Sequence, residues 1–311
     1  MIKVKEHHKL SGGDRIKSEE GFIEKHNYRT YYEVHTPRGN PYDSTPIILL
    51  AGGPGLSFTS LTPLLQLAEE RKVIAYDQLG SGKSTRSESF RSLHIEDFIE
   101  QFNAIVTEMD LKKFHLLGHS WGTVLGVNIA LQYPKETQSL ILHSGIADWK
   151  KCLEERVKFE EKHSPDELKQ IMKKERDGIP TSTVERDRLL KAFNSHFYCR
   201  VEYPDYLKQS LEDKDIGTNQ LIWNPEKNEA MATYNICDRL HEIKCPALIV
   251  SGKFDGISVG QASLFKSGIK DSTHVEFQNS SHYSHIEEES RFLECVRDFL
   301  NDVEYYRGDT K

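Results

Sequence analysis

Short, unbroken apolar runs recur along the chain, and most precede a longer stretch with apolar residues at helical spacing. Pro46-Ile47-Ile48-Leu49-Leu50 and Lys72-Val73-Ile74-Ala75-Tyr76 are such runs, as are Phe114-His115-Leu116-Leu117 and Gln138-Ser139-Leu140-Ile141-Leu142-His143. Consecutive apolar positions suit a strand covered on both faces, so these read as doubly buried strands. Upstream, Gly21–Glu24 and Tyr31–His35 read as a strand pair leading in. The segment from Ile95 to Met109 carries Ile95, Phe98, Ile99, Phe102, Ile105 and Val106 at helical spacing, and Thr123–Leu131 is apolar over a helical length.

From Asp148 to about Thr233 the rhythm changes. Lys, Glu, Arg and Asp crowd around Leu153, Val157, Phe159, Leu168, Ile171 and Met172, and the pattern predicts helices without a buried strand. The strand–helix alternation resumes at Cys245–Gly252, continues with Thr273–Phe277, and ends in a helix near Ser290–Leu300. This order predicts an α/β fold with a mostly parallel central sheet flanked by helices. Residues 1–147 and 234–311 are expected to form the core, and 148–233 an inserted helical cap. A separate helical domain is the alternative; insertion is preferred because the sheet needs strands from both flanks.

The 311 residues suffice for one large domain, or for a core with an inserted subdomain. A net charge of −7 favours neither nucleic acid nor an anionic membrane as partner. The first residues contain no apolar signal core, and no run approaches the roughly 18 apolar residues of a membrane span. Five cysteines, an odd number without a Cys-x-x-Cys pair, suggest reduced thiols in a cytoplasmic protein. The fourteen histidines show no His-Glu-x-x-His or similar spacing, so neither a metal nor another cofactor is expected. Oligomeric state has no signature here.

Candidate chemistry centres on Gly118-His119-Ser120-Trp121-Gly122, which lies where a buried strand gives way to an apolar helix. A Gly-x-Ser-x-Gly at such a junction is a nucleophile elbow, whose glycines let backbone segments pass closely while a tight turn presents the serine. A serine hydroxyl needs a general base, best a histidine oriented by a carboxylate. Asp255 follows the strand Ala247–Val250 and is the candidate acid; His282 follows the next strand and is the candidate base, with His285 the competitor three residues on. His119 is expected to be a packing residue. Acyl transfer also needs donors for the developing oxyanion. Trp121 N–H, just after the serine, is one candidate. Gly53 N–H, in Ala51-Gly52-Gly53-Pro54-Gly55, is the other, with Gly52 close behind. That glycine-rich loop lacks the Gly-Lys-Ser/Thr of a phosphate loop.

These residues resemble the α/β-hydrolase superfamily and, within it, the proline iminopeptidase (prolyl aminopeptidase) family. The resemblance rests on Gly52-Gly53-Pro54-Gly55, on Tyr76-Asp77-Gln78-Leu79-Gly80-Ser81-Gly82-Lys83-Ser84 and on the elbow through Thr123. It extends to Phe197–Arg200, Tyr203-Pro204, and Ser281-His282 followed by Glu287 and Phe292, and so covers nearly the whole chain. It implies the α/β-hydrolase fold and a serine hydrolase working through an acyl-enzyme. The activity implied is an aminopeptidase releasing N-terminal residues, often proline, from small peptides or amides.

Two departures bear on the substrate. Ala51 stands where the family's loop begins with histidine. Family members also hold the substrate's α-amine with acidic residues, one in the cap and one directly after the catalytic aspartate. Here the cap segment reads Trp223-Asn224-Pro225-Glu226-Lys227-Asn228-Glu229, which makes Glu226 and Glu229 the candidate amine ligands, and Gly256 follows Asp255. Trp223 and Trp121, with Tyr198 or Phe58, are candidates to line an apolar pocket. An esterase, lactonase or amidase acting on a small non-peptide substrate is the alternative, and a non-catalytic ligand-binding homologue a minor one. In each case the expected partner is a small molecule or short peptide.

Overall fold

In the computed structural model, described for residues 15–306 apart from 26–27, 39–43, 178 and 180, eight strands form one sheet. The strands are β1 (Ile16–Lys25), β2 (Tyr28–Pro37), β3 (Ile47–Leu50), β4 (Val73–Tyr76), β5 (Phe114–His119), β6 (Thr137–His143), β7 (Ala247–Gly252) and β8 (Ser272–Phe277). Their spatial order is β1-β2-β4-β3-β5-β6-β7-β8. The two pairings that involve β2 are antiparallel, and every pairing from β4 to β8 is parallel. β3 and β4 are buried at every position, because helices cover both faces of the sheet.

Alternation along the strands divides the core into two layers. Ile48, Leu50, Ile74, Tyr76, Leu116, Leu140, Leu142 and Ile249 face one side, with Phe98, Phe102 and Ile105 of the helix Ile95–Glu108. Ile47, Leu49, Val73, Ala75, Leu117, Ile141, Leu248 and Val250 face the other, with Phe292, Leu293, Val296 and Leu300 of the helix Glu289–Asn301. The helix Trp121–Gln132 has no polar face to speak of, since nine of its twelve residues are buried. Part of that burial is against the helix Ile95–Glu108, which closes over it with Phe98 edge-on to Trp121 at 5.3 Å.

Between β6 and β7 the described residues form helices and no strand, from Trp149–His163 to Glu229–Ala232. The segment leaves and rejoins the sheet layer at one place. Trp149 N–H donates to Tyr234 O (2.9 Å), Ile236 N–H to Ala147 O (2.9 Å) and Asn235 Nδ2 to the Asp148 carboxylate (2.8 Å). Among the described residues, no helix is long and apolar enough to cross a membrane.

Candidate active site

β5 ends at His119 and the next helix begins at Trp121, so Ser120 occupies the turn alone, at φ 54° and ψ −118°. This left-handed backbone is costly for a residue with a Cβ, by about 1–3 kcal/mol, and the surroundings must hold it. Ser120 N–H donates to His143 O (2.9 Å), while Ser120 O accepts from Thr123 N–H (2.9 Å) and Thr123 Oγ1 (2.6 Å). The flanking glycines permit the approach: a Cβ at Gly118 would lie 2.3 Å from Gly122 O, and one at Gly122 would lie 2.0 Å from Leu50 O. Trp121 N–H is at the first helical position, where no intrahelical acceptor exists.

The loop after β3 crosses the elbow. A Cβ on Gly52 would lie 3.3 Å from Ser120 Cβ, and Gly53 adopts φ +120°, where its missing side chain matters. Gln78 fixes this loop against the helix: its Nε2 donates to Ala51 O (2.9 Å) and its Oε1 accepts from Trp121 Nε1 (2.8 Å). The neighbouring Asp77 builds the rest of that turn, accepting from Ser57 Oγ (2.8 Å), Phe58 N–H (3.1 Å) and Lys83 N–H (2.8 Å). Burial nevertheless pushes the Asp77 carboxyl above its usual range, against those donors.

Asp255 lies just beyond β7, 4% exposed, and its oxygens are 3.1 and 3.2 Å from Nδ1 of His282, beyond β8 and 1% exposed. Asp255 also accepts from Ile257 N–H (2.8 Å), Ser258 N–H (3.1 Å) and Ser258 Oγ (2.5 Å). Burial opposes its ionisation, but His282, Ser258 and Ile257 together outweigh it and hold the carboxyl well below the usual range. With Nδ1–H on Asp255, the His282 Nε2 carries a lone pair. His285 is turned elsewhere, its Nε2 donating to Ser60 O (3.0 Å).

Both sides of His282 are tied down. Glu287 accepts from Ser281 N–H (2.9 Å), Ser281 Oγ (2.8 Å), Tyr283 N–H (3.1 Å) and, from the helical segment, Arg200 N–H (2.8 Å). His282 N–H donates to Tyr198 O (3.1 Å), and His282 O accepts from Nε2 of His119 (2.9 Å), which joins the histidine loop to the elbow. The Tyr198 ring stacks on His282 at 5.1 Å.

Three indoles meet beside the elbow. Trp223 lies edge-on to Trp121 at 5.7 Å and stacks on Trp149 at 4.3 Å. Phe58 instead packs in the core layer with Leu61, Leu64 and Ala51. Glu226 and Glu229 are exposed on the surface, and a side chain at Gly256 would collide with Phe197, whose Cβ would be 2.7 Å away. Sequence reasoning gives no role to Gln78 or Trp149; both act through tertiary contacts that leave no periodic trace.

Residues 45–289 match the sequence model of the alpha/beta hydrolase fold family. The proline iminopeptidase of Heyndrickxia coagulans is 31% identical, over 91% of this chain and 99% of its own. That of Saccharolobus solfataricus is 29% identical, over 94% and 95%. Among solved structures, the proline iminopeptidase of Mycobacterium smegmatis superposes with a TM-score of 0.80 at 24% identity, over 93% of this chain and 99% of that one. VinJ superposes at 0.79 and 25%, over 91% and 98%. The chain belongs to the α/β-hydrolase family and is similar, over nearly its whole length, to the proline iminopeptidases.

Proposed function

We propose that this chain is a serine hydrolase that cleaves through an acyl-enzyme, and that its substrates are small peptides or amides from which it releases the N-terminal residue. Ser120 Oγ attacks the carbonyl carbon while His282 Nε2 takes its proton, and Asp255 stabilises the imidazolium that forms. Gly53 and Trp121 N–H groups hold the oxyanion, each contributing about 3 kcal/mol to the transition state. The leaving amine takes the proton from His282. Water, activated by the same imidazole, then releases the acid and restores Ser120. Residues 148–233 act as a cap whose aromatic face, through Trp149 and Trp223, meets the apolar side of a prolyl group.

The observation that carries this reading is the Asp255 carboxylate on His282 Nδ1, in a loop whose carbonyl is bonded to the residue before Ser120. Proline as the preferred residue is taken from the named relatives. Glu226 and Glu229 are the proposed partners of its ammonium group. A second reading, an esterase or amidase indifferent to a free amine, is favoured by the exposure of both glutamates and by the occupation of the space beside Gly256 by Phe197. An ammonium withdrawn from water without a carboxylate is costly.

The test is kcat/KM on a proline amide with a free amine, its N-blocked twin and a short p-nitrophenyl ester. Strong preference for the free amine supports the iminopeptidase; ester turnover with indifference to the amine supports the second reading. Ser120→Ala is expected to lower turnover by roughly 10⁴-fold or more and to abolish fluorophosphonate labelling with the urea midpoint unchanged. Substantial residual hydrolysis would exclude Ser120 as the nucleophile.

A further inference from the structure

Three histidines far apart in the sequence meet beneath the elbow. His119 ends β5, His143 ends β6, and His285 lies in the short helix Ser284–Glu287. All are at most 1% exposed. Their ring centroids form a nearly equilateral triangle with sides of 4.7, 5.1 and 5.1 Å. One nitrogen from each ring lies within 4.8 Å of the other two.

The hydrogen bonds of the outer two define their tautomers. Nε2 of His119 donates to His282 O and Nε2 of His285 to Ser60 O, so each Nδ1 is left with a lone pair. Neither Nδ1, nor either nitrogen of His143, has a hydrogen-bond partner among the described residues. An interior polar group without a partner is destabilising, and three such lone pairs, with the one N–H of His143 also unpartnered, gathered in one place point to a ligand. Burial lowers the basicity of all three rings and keeps them in the neutral form that can ligate. An imidazole whose far N–H is held by a carbonyl is also the usual arrangement of a metal ligand.

We propose that His119, His143 and His285 form a binding site for one d-block cation of the zinc class. An all-imidazole set suits Zn²⁺, Co²⁺ or copper and does not suit Mg²⁺ or Ca²⁺, which take oxygen ligands. With Zn–N bonds of about 2.0–2.1 Å, a tetrahedral site needs ring centroids about 5.2 Å apart, close to the observed triangle. It needs ligand nitrogens about 3.4 Å apart, so the rings must turn to bring nitrogens now up to 4.8 Å apart inward by as much as about 1.4 Å. Three protein ligands leave a fourth position open. The ion would lie beside His119, the residue before Ser120, whose ring is 4.8 Å from that of His282.

The test uses the full chain freed of metal by a chelator, incubated with Zn²⁺ or Co²⁺ long enough for a buried site to equilibrate. Wild type is expected to retain one equivalent of Zn²⁺ and to give the visible absorption of four-coordinate Co²⁺. Ser120→Ala is expected to bind identically, which separates the site from catalysis. His143→Gln and His143→Leu are expected to weaken binding at least 100-fold; the leucine variant removes two unpartnered nitrogens and should fold. Exposed histidines such as His241 bind metal weakly in every variant and serve as background. Failure of wild type to retain an equivalent, or equal retention by the folded His143 variants, would overturn the site.

Discussion

Two glycines of the helix Trp121–Gln132 stand in different surroundings, and a methyl group on each reports how tightly the elbow is built. At Gly122 it would lie 2.0 Å from Leu50 O, a backbone atom of β3 that cannot turn aside. At Gly126 it would lie 3.2 Å from Leu140 Cδ1 and 3.4 Å from Leu50 Cδ1, both ends of flexible side chains. Gly122→Ala is therefore expected to destabilise the fold by about 3 kcal/mol, the upper range for overpacking. Gly126→Ala is expected to be nearly neutral, because crowding is offset by the roughly 1 kcal/mol that alanine gains over glycine in a helix. Urea unfolding of both variants checks this, and equal costs would mean that the helix can slide away from β3. The same contact explains why Ser120 keeps its left-handed backbone: the strand before it and the helix after it are too close to relax.

Between elements, the contacts that shape the candidate site run from loop to loop. Gln78, after β4, holds Ala51 O of the loop after β3 and the indole N–H of Trp121, and so sets the two proposed oxyanion donors relative to each other. Leucine in its place leaves a carbonyl and an indole N–H buried without partners, at about 1–3 kcal/mol each. Gln78→Leu is expected to lower kcat per active serine, counted by fluorophosphonate titration, by roughly 10–100-fold with KM little changed. A purely structural residue would reduce the number of titratable serines and leave turnover per site intact. Such links are hidden from sequence reasoning, which detects periodicity. β3 to β7 are legible as apolar runs because both of their faces are covered, and the helix Ile95–Glu108 as a stripe. β8 is harder to read, since at the sheet edge Thr273, His274 and Glu276 are partly or fully exposed. Asp255 and His282 become candidates from their places after successive strands, and what sets His282 apart from His285 in the structure is its contact with Asp255, while His285 turns toward Ser60. Trp149 is invisible for a similar reason: its partner Trp223 ends another helix.

Across the whole molecule, distant parts of the chain are joined at the ion pair of Arg71 and Glu304. Glu304, near the end of the described residues, accepts from Arg71 Nη1 (2.8 Å), His115 Nε2 (3.0 Å) and Thr45 N–H (3.1 Å). The Arg71 side chain is 3% exposed, so its charge depends on this partner. Burial alone would raise the Glu304 carboxyl, but His115 and Arg71 outweigh it and hold it below the usual range. Because the unfolded chain protonates this glutamate first, its contribution is present above about pH 4.3 and is lost as pH falls through the lowered native value. Burial lowers the pKa of His115, partly offset by Glu304. The unfolded chain therefore takes up that proton first, and stability begins to fall already below about pH 6.5. Glu304→Gln keeps the shape of the side chain and removes the charge. It is expected to cost about 3 kcal/mol at pH 7, where Arg71 is left buried and unpaired. The gap between wild type and variant should then narrow below about pH 4, as wild type loses the same carboxylate by protonation. Urea unfolding of both proteins from pH 7.5 to pH 3.5 measures that gap directly. A gap constant over this range would mean that Glu304 holds the chain's end by packing rather than by its charge.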